Sequence, residues 1–506
     1  MISADAAQRV EKYIPGITAA YGALLSDHQR GIHTSDGSLY NHTFFGRDAS
    51  MTAKFVTEFD HSVVRDTIHT LATLQGVENN RLTQEEVGRI HHEWRDFQLW
   101  RGTFRRRLLL WPMRYAWGGN HRLLLTYFAA DSAASYIRLV HKYSTLVDSS
   151  ILQDTITDKS GAKVTIATTV ERAAAWIQSH VANENLLMTS RSNSFSLPFQ
   201  TFQDSVTAYS RRDGSLMNYK KSIGYVEVQA FSADALSDAV HMLPDNQLRA
   251  SWEKDKNRLK DGLFGEYWRD DNFFASCIDA NGPDDRQTVA AGWTLNTSLW
   301  DKLPPEEYQA KLSSIVRHLF SSDFLTSVGL RTRALSEPKI LQNVVEYHGS
   351  LTVWPMFTFM VSEGLRRHNL HRLAEQLENR MMNGLNLTGN FDEFFIVDGD
   401  GVTCLMTDDR SQKTVHMQMP VEKNISFSVV PAMIVALRYD SPPASDIPLK
   451  WQQELEDELL STFDTINRHS SPEITKTLCA VKYVYPRRAV ASLRTTAYFM
   501  KESFKI

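Results

Sequence analysis

Six short stretches gather acids beside aromatic and amide side chains. They are Phe45-Gly-Arg-Asp48, Glu85 to Glu93, Phe202-Gln-Asp-Ser205, Tyr225-Val-Glu-Val-Gln229, Glu346-Tyr-His348 and Asp392-Glu-Phe-Phe395. Rings stack on pyranose faces, carboxylates and amides bind hydroxyls, and two carboxylates are enough for proton transfer at a glycosidic bond. A single Asp or Glu taken alone is more often a helix cap or an ion-pair partner, so only the set points to a sugar-binding cleft.

Other chemistries lack their motifs. There is no Walker A loop, no GxGxxG at a strand-to-helix step and no HExxH. His91 and His92 have ligand chemistry, but neighbours in a helix point in different directions, so a hydrogen-bonded pocket wall is the simpler expectation. The Asp-Gly-Asp-Gly run at 398–401 reads as a turn, because the rest of a calcium loop is missing. No metal and no cofactor is expected.

The chain has 506 residues, and 55 basic against 59 acidic side chains leave a net charge of −4. That balance gives no electrostatic case for a nucleic-acid partner. Cys277, Cys404 and Cys479 are far apart and odd in number, which argues against a disulfide framework or a CxxC metal site. The first residues show no apolar signal core, and the most apolar stretch, Leu108 to Ala130, is broken by Arg114, His121 and Arg122. A cytoplasmic protein without a membrane span is expected.

Helical periodicity dominates the elements that must hold these acids. It recurs at 46–58, 61–76, 124–144, 167–182, 228–243, 245–262, 288–301, 305–320, 351–367, 369–386, 425–438 and 449–466. Asp245 and Asp301 are candidate caps near two of the turns. About twelve helices in about six hairpins is the count of an all-α (α/α)6 barrel. Long polar loops at 78–104, 145–166, 187–224, 265–287, 321–350 and 387–424 separate the elements, and long loops are uncommon unless functional. Gathered at one end, they would build a cleft on a rigid scaffold. The barrel is expected over 1–466, with 467–506 a basic C-terminal extension packed on it and 441–448 a Pro-rich linker or capping loop. Small hairpins are expected at 273–282 and 394–401.

The ordered set FGRDA (45–49), LQG (74–76), EEVGRIHHEWRD (85–96), YFAAD (127–131), FQDSVTAY (202–209), YVEVQAFSADAL (225–236), GLRTR (329–333), YHGSLTVWP (347–355) and FDEFF (391–395) resembles the glucosidase domain of glycogen debranching enzymes. This is the amylo-α-1,6-glucosidase group of the six-hairpin glycosidases, and the chain is also similar to mannosylglycerate hydrolase-like members. The resemblance implies an (α/α)6 barrel that hydrolyses an α-linked glucoside with inversion and without a cofactor. It puts the general acid on Asp204 and the general base on Glu393, with Asp392 a rival for the base. It assigns Arg47, Asp48, His92, Glu93, Asp131, Phe202, Glu227, Gln229, His348 and Trp354 to the substrate pocket.

Inversion requires a protonated acid and an ionised base with carboxyls roughly 6.5–9.5 Å apart. Asp204 therefore needs a raised pKa, and Glu393 is expected to stay ionised beside a cation and some solvent. The Trp-Lys that precedes the acid in the family reads Phe202-Gln203 here. That change, and the short stretch before the first motif, point to an oligosaccharide or small glycoside. Trehalose-like disaccharides and glucosyl- or mannosylglycerate are the alternative substrates. Outside hydrolysis, the alternatives are sugar binding without turnover and epimerisation through paired histidines.

Overall fold

The computed structural model describes residues 3–469, apart from 26–29, 37–39, 41–42, 97–114, 121, 182–184, 195, 342–343, 398–402, 405–415, 418–420 and 440–447. The Pro-rich loop and nearly all of the proposed C-terminal extension lie outside the described residues, as does the turn of the second expected hairpin.

Two helices, α1 (Ala4–Tyr13) and α2 (Ile17–Leu24), precede the barrel. The sequence reading did not anticipate them. Both pack on α13 (Ser426–Tyr439), where Arg9 donates to the Leu437 carbonyl at 2.8 Å. Six inner segments follow: α3 (Gly46–Val56), α5 (Ser132–Leu146), α7 (Val226–Met242), α9 (Ala290–Trp293), α11 (Pro355–Arg367) and α13. Each touches the next and α13 touches α3, which closes the ring. Their partners are α4 (His61–Thr73), α6 (Ile166–His180), α8 (Arg249–Glu266), α10 (Pro305–Leu319), α12 (His371–Thr388) and α14 (Lys450–His469). No described helix is long and apolar enough to cross a membrane.

Local chemistry explains the two kinds of helix. Inner α13 is buried through its first three turns and is apolar almost all round, as a helix enclosed by neighbours must be. Outer α10 starts on Pro305, carries Glu306 and Glu307 in its first turn and Arg317 and His318 in its last, and so complements its own dipole. Asp60 and Thr165 cap α4 and α6 by accepting from Val63 N and Thr168 N.

Three expectations are corrected. The segment 288–301 is four residues of α-helix followed by 3-10 turns, because the Thr294 and Thr297 hydroxyls and the Trp300 indole bond to local carbonyls. The start of 124–144 is a strand, and its helix begins only at Ser132. Neither Asp245 nor Asp301 caps a helix: Asn246 accepts from Leu248 N at 2.8 Å, while Asp301 pairs with Arg367.

Strands are more numerous than the sequence suggested, though short. Three three-stranded antiparallel sheets stand at one end of the barrel. They join β1 (Phe44–Phe45) with β2 (Glu93–Asp96) and β3 (Leu123–Thr126), β4 (Gly224–Tyr225) with β5 (Cys277–Asp279) and β6 (Gly282–Pro283), and β7 (Thr352–Val353) with β8 (Phe395–Val397) and β9 (Thr403–Cys404). Strands β1, β4 and β7 lead straight into inner helices α3, α7 and α11. The sheets therefore fix where those helices begin. Gly46 is needed at the first of these steps, since a Cβ there would run into the His91 carbonyl oxygen.

Candidate active site

The helix starts bring acids together around one guanidinium. Arg47 and Asp48 lie in the first turn of α3, and Asp131 sits at the N-cap of α5. Arg47 holds Asp48 at 3.0 Å, reaches Asp131 at 4.0 Å and reaches Asp204, from the 187–224 loop, at 3.9 Å. Thr34 donates to Asp48 at 3.2 Å. Asp204 keeps 27% of its side chain exposed, whereas Arg47 and Asp131 are buried, so Asp204 is the member of the group that faces outward.

Burial pushes the carboxyls of Asp204 and Asp131 up to about 6, against the pull of Arg47. Asp48 is raised in the same way. Asp48 also raises Asp131, and both raise Asp204, the usual result of acids sharing one cation.

Glu393 lies within electrostatic reach of this group, just before β8. Tyr347 donates to its Oε1 at 2.5 Å and Tyr40 at 3.4 Å, and the two phenols lie 3.1 Å apart. The Glu422 backbone N–H donates to Oε2 at 3.2 Å. Both tyrosines lie within electrostatic reach of Glu393 and of Asp204, and Glu393 lies within reach of Asp48. The two expected catalytic acids therefore face one shared cluster. The cation expected beside Glu393 is replaced by phenols and a backbone amide. Burial pushes its carboxyl up to about 8, opposed by the Tyr347 hydrogen bond. Asp392, the rival base, bonds to Thr388 and lies within electrostatic reach of Lys423.

The other expected residues divide. His348 accepts from or donates to Ser205 through Nδ1 at 3.0 Å, and its buried Nε2 has no protein partner. His92 packs edge-on against Phe45, with a buried Nδ1 that likewise has none. It lies on a strand-leading loop, not a helix. Burial holds both rings neutral. Phe202 and Trp354 are packed away: Phe202 stacks on Trp293 at 3.9 Å, and Trp354 stacks between Phe357 and His348. They support the loops that carry Asp204 and His348. Glu93 pairs with Arg95 at 2.7 Å.

Glu227 is fully buried beside Thr201 and Tyr209, with its carboxyl pushed up to about 8 by that burial. It sits beneath Asp131, inside the wall. Gln229 does not join the group, because its amide clamps the Leu187 backbone N–H and carbonyl at 2.7 and 2.9 Å. Sequence reasoning missed Tyr40, Tyr347 and Gln203 as site residues. Both amide atoms of Gln203 are buried without a protein partner next to Asp204. Its replacement of the family's lysine was the available signal. Buried polar atoms without protein partners are rare in folded proteins, and Arg47, His92, Asp131, Gln203 and His348 each carry one or more here.

Arg47 is the electrostatic keystone of the cluster. Arg47→Met is expected to destabilise the fold by about 3–5 kcal/mol at pH 7.5, because it leaves buried carboxylates without their cation. Without Arg47 their pKa values rise further, so protonation removes the penalty as pH falls through 6. Urea melts at pH 7.5 and pH 5 check this, and an equal loss at both pH values would contradict it.

Residues 159–401 match the family model described as the mannosylglycerate hydrolase MGH1-like glycoside hydrolase domain. No curated protein matches the chain. Among solved structures, the GH63 mannosylglycerate hydrolase from Thermus thermophilus in complex with glucose aligns with a TM-score of 0.53 at 15% identity, over 83% of this chain and 99% of that one. In complex with Tris and D-glycerate it gives 0.52 at 12% identity, with the same coverage. An uncharacterized conserved protein from the same organism gives 0.55 at 13% identity over 83% and 99%. At such identities the likeness is one of fold. The closed ring of helix hairpins is the fold shared with these solved structures, and the glycoside hydrolase family model matches across its middle.

Proposed function

We propose that this protein is an inverting hydrolase of a small α-linked glycoside of the mannosyl- or glucosylglycerate kind. Asp204 is the general acid and Glu393 the general base. The observation that carries this reading is that Asp204 and Glu393 both lie within electrostatic reach of the same Tyr40–Tyr347 pair. Glu393, held by two phenols and the Glu422 amide, orients a water towards the anomeric carbon. Asp204, exposed at the rim, protonates the departing oxygen. Arg47, Asp48, Asp131, His92 and His348 bind sugar hydroxyls, with the unpartnered nitrogens of the two histidines supplying direct contacts.

The choice of a small substrate rests on the matched family model. It takes precedence over the debranching reading, which has only the motif resemblance behind it. The test is product analysis on mannosylglycerate, glucosylglycerate, trehalose, isomaltose and an α-1,6-branched dextrin. Proton NMR at early times should show the β-anomer of the released sugar from a glycerate glycoside. Turnover of the dextrin alone would restore the debranching reading. Binding of every sugar without release of any would make the protein a lectin-like module.

A further inference from the structure

Three donor side chains that the hydrolytic site does not use meet on two neighbouring inner helices. His141 lies in the penultimate turn of α5, and Asp238 and His241 lie near the end of α7. Asp238 and His241 are three residues apart, which puts them on one face of their helix. His141 Nδ1 is 2.9 Å from Asp238 Oδ1, and the two imidazoles stack with centroids 6.0 Å apart. One ligand atom from each of the three residues falls within 4.8 Å of the others.

We propose that His141, Asp238 and His241 form a divalent transition-metal site of the kind zinc occupies. Two imidazoles and one carboxylate are a borderline donor set that suits zinc better than magnesium or calcium, which prefer oxygen. A hydrogen-bonded His141–Asp238 pair alone would not require a third donor, yet His241 brings its nitrogen to the same point. The side chains of His141 and Asp238 are 29% and 19% exposed and His241 is exposed, so an ion has an open approach and a fourth position for water.

Two of the three neighbouring cations pair with other acids. Arg138 pairs with Asp234 at 3.3 Å and Lys142 with Glu58 at 3.0 Å, while Lys54 lies in electrostatic reach of both Asp234 and Asp238.

The site is remote from hydrolysis. Asp131 starts α5 and Glu227 starts α7, and the metal donors lie ten or more residues further along, about 15–20 Å away at 1.5 Å per residue. A bound ion would clip the far ends of α5 and α7 together. Its role is structural, and the two-carboxylate chemistry does not depend on it.

The full chain, without an affinity tag and stripped with EDTA, is titrated with zinc chloride by calorimetry, and its melting temperature is followed with and without zinc. One zinc per chain is expected, in the micromolar range or tighter, with a higher melting temperature in zinc because the ion binds only the folded form. His241→Ala, His141→Gln and Asp238→Asn should each weaken binding at least ~10-fold, since even outer-shell partners are worth that much. They should abolish the thermal shift while far-UV circular dichroism and glycoside turnover stay unchanged. Absence of stoichiometric binding, or equal binding in all three variants, overturns the proposal. Because the readout is binding, a failed substrate assignment would leave this result standing.

Discussion

Glu393→Gln should lower turnover by at least ~10²-fold, the usual cost of losing a proton-transfer group, while KM changes little. Glutamine fills the same space and still accepts from Tyr347 and Tyr40, so the fold and the pocket should survive. It cannot take a proton from water. Asp392→Asn is the matched control, because Asp392 bonds to Thr388 near Lys423, while both phenols bond to Glu393. Its kcat should stay within a few-fold of wild type. Steady-state kinetics on the best substrate of the panel checks both. If Glu393→Gln kept full activity and Asp392→Asn lost it, the base would be Asp392 and the tyrosine pair would have another purpose.

Asp204→Asn should cost a similar ~10²-fold or more, but with a different signature. The acid is needed only when the leaving oxygen must be protonated. A glycosyl fluoride, whose leaving group departs without a proton, should therefore recover most of its rate in Asp204→Asn and none in Glu393→Gln. The pH profile separates the roles again. Burial raises Asp204 to about 6 and Glu393 to about 8. Below about 6 the pair holds two protons and the base cannot act, and above about 8 it holds none and the acid cannot act. Wild-type kcat/KM should form a bell between those limits, and the limits belong to the pair rather than to either residue. The active form has the proton on Asp204 and the charge on Glu393, so it is the minor arrangement of the singly protonated pair. Hydrogen bonds from Tyr347 and Tyr40 are what make it accessible. In Asp204→Asn only Glu393 titrates, so the residual rate on the fluoride should rise with pH and show no alkaline fall. A bell that persisted in that variant would mean that another acid supplies the proton.

Much of the architecture was legible in the residues. Ten of the twelve barrel helices followed from 3.6-residue periodicity, because each presents one apolar face or, when enclosed, is apolar throughout. The segments 288–301 and 124–144 misled for the same reason. Short apolar runs carry no period long enough to distinguish a helix from a strand or a 3-10 turn, and there pairing with β2 or threonine side-chain bonds decided the outcome. Two-residue strands such as β1, β4 and β7 show no alternation at all. They exist because the chain crosses itself at the barrel mouth.

The site divides along the same line. Types and order of residues by themselves pointed to a helical barrel and to acids gathered in long polar loops, because helix periodicity and acid clusters are local or compositional facts, whereas the choice of Asp204 and of the 392–393 loop came with the family resemblance. Only the tertiary structure decided that Glu393 is the acid that Tyr347 and Tyr40 bond to, that its neighbours are phenols rather than a cation, and that Gln229, Phe202 and Trp354 serve the walls. Those outcomes depend on which side chains from distant segments share a desolvated space. Burial and electrostatic reach are properties of that space, and no spacing along the chain encodes them.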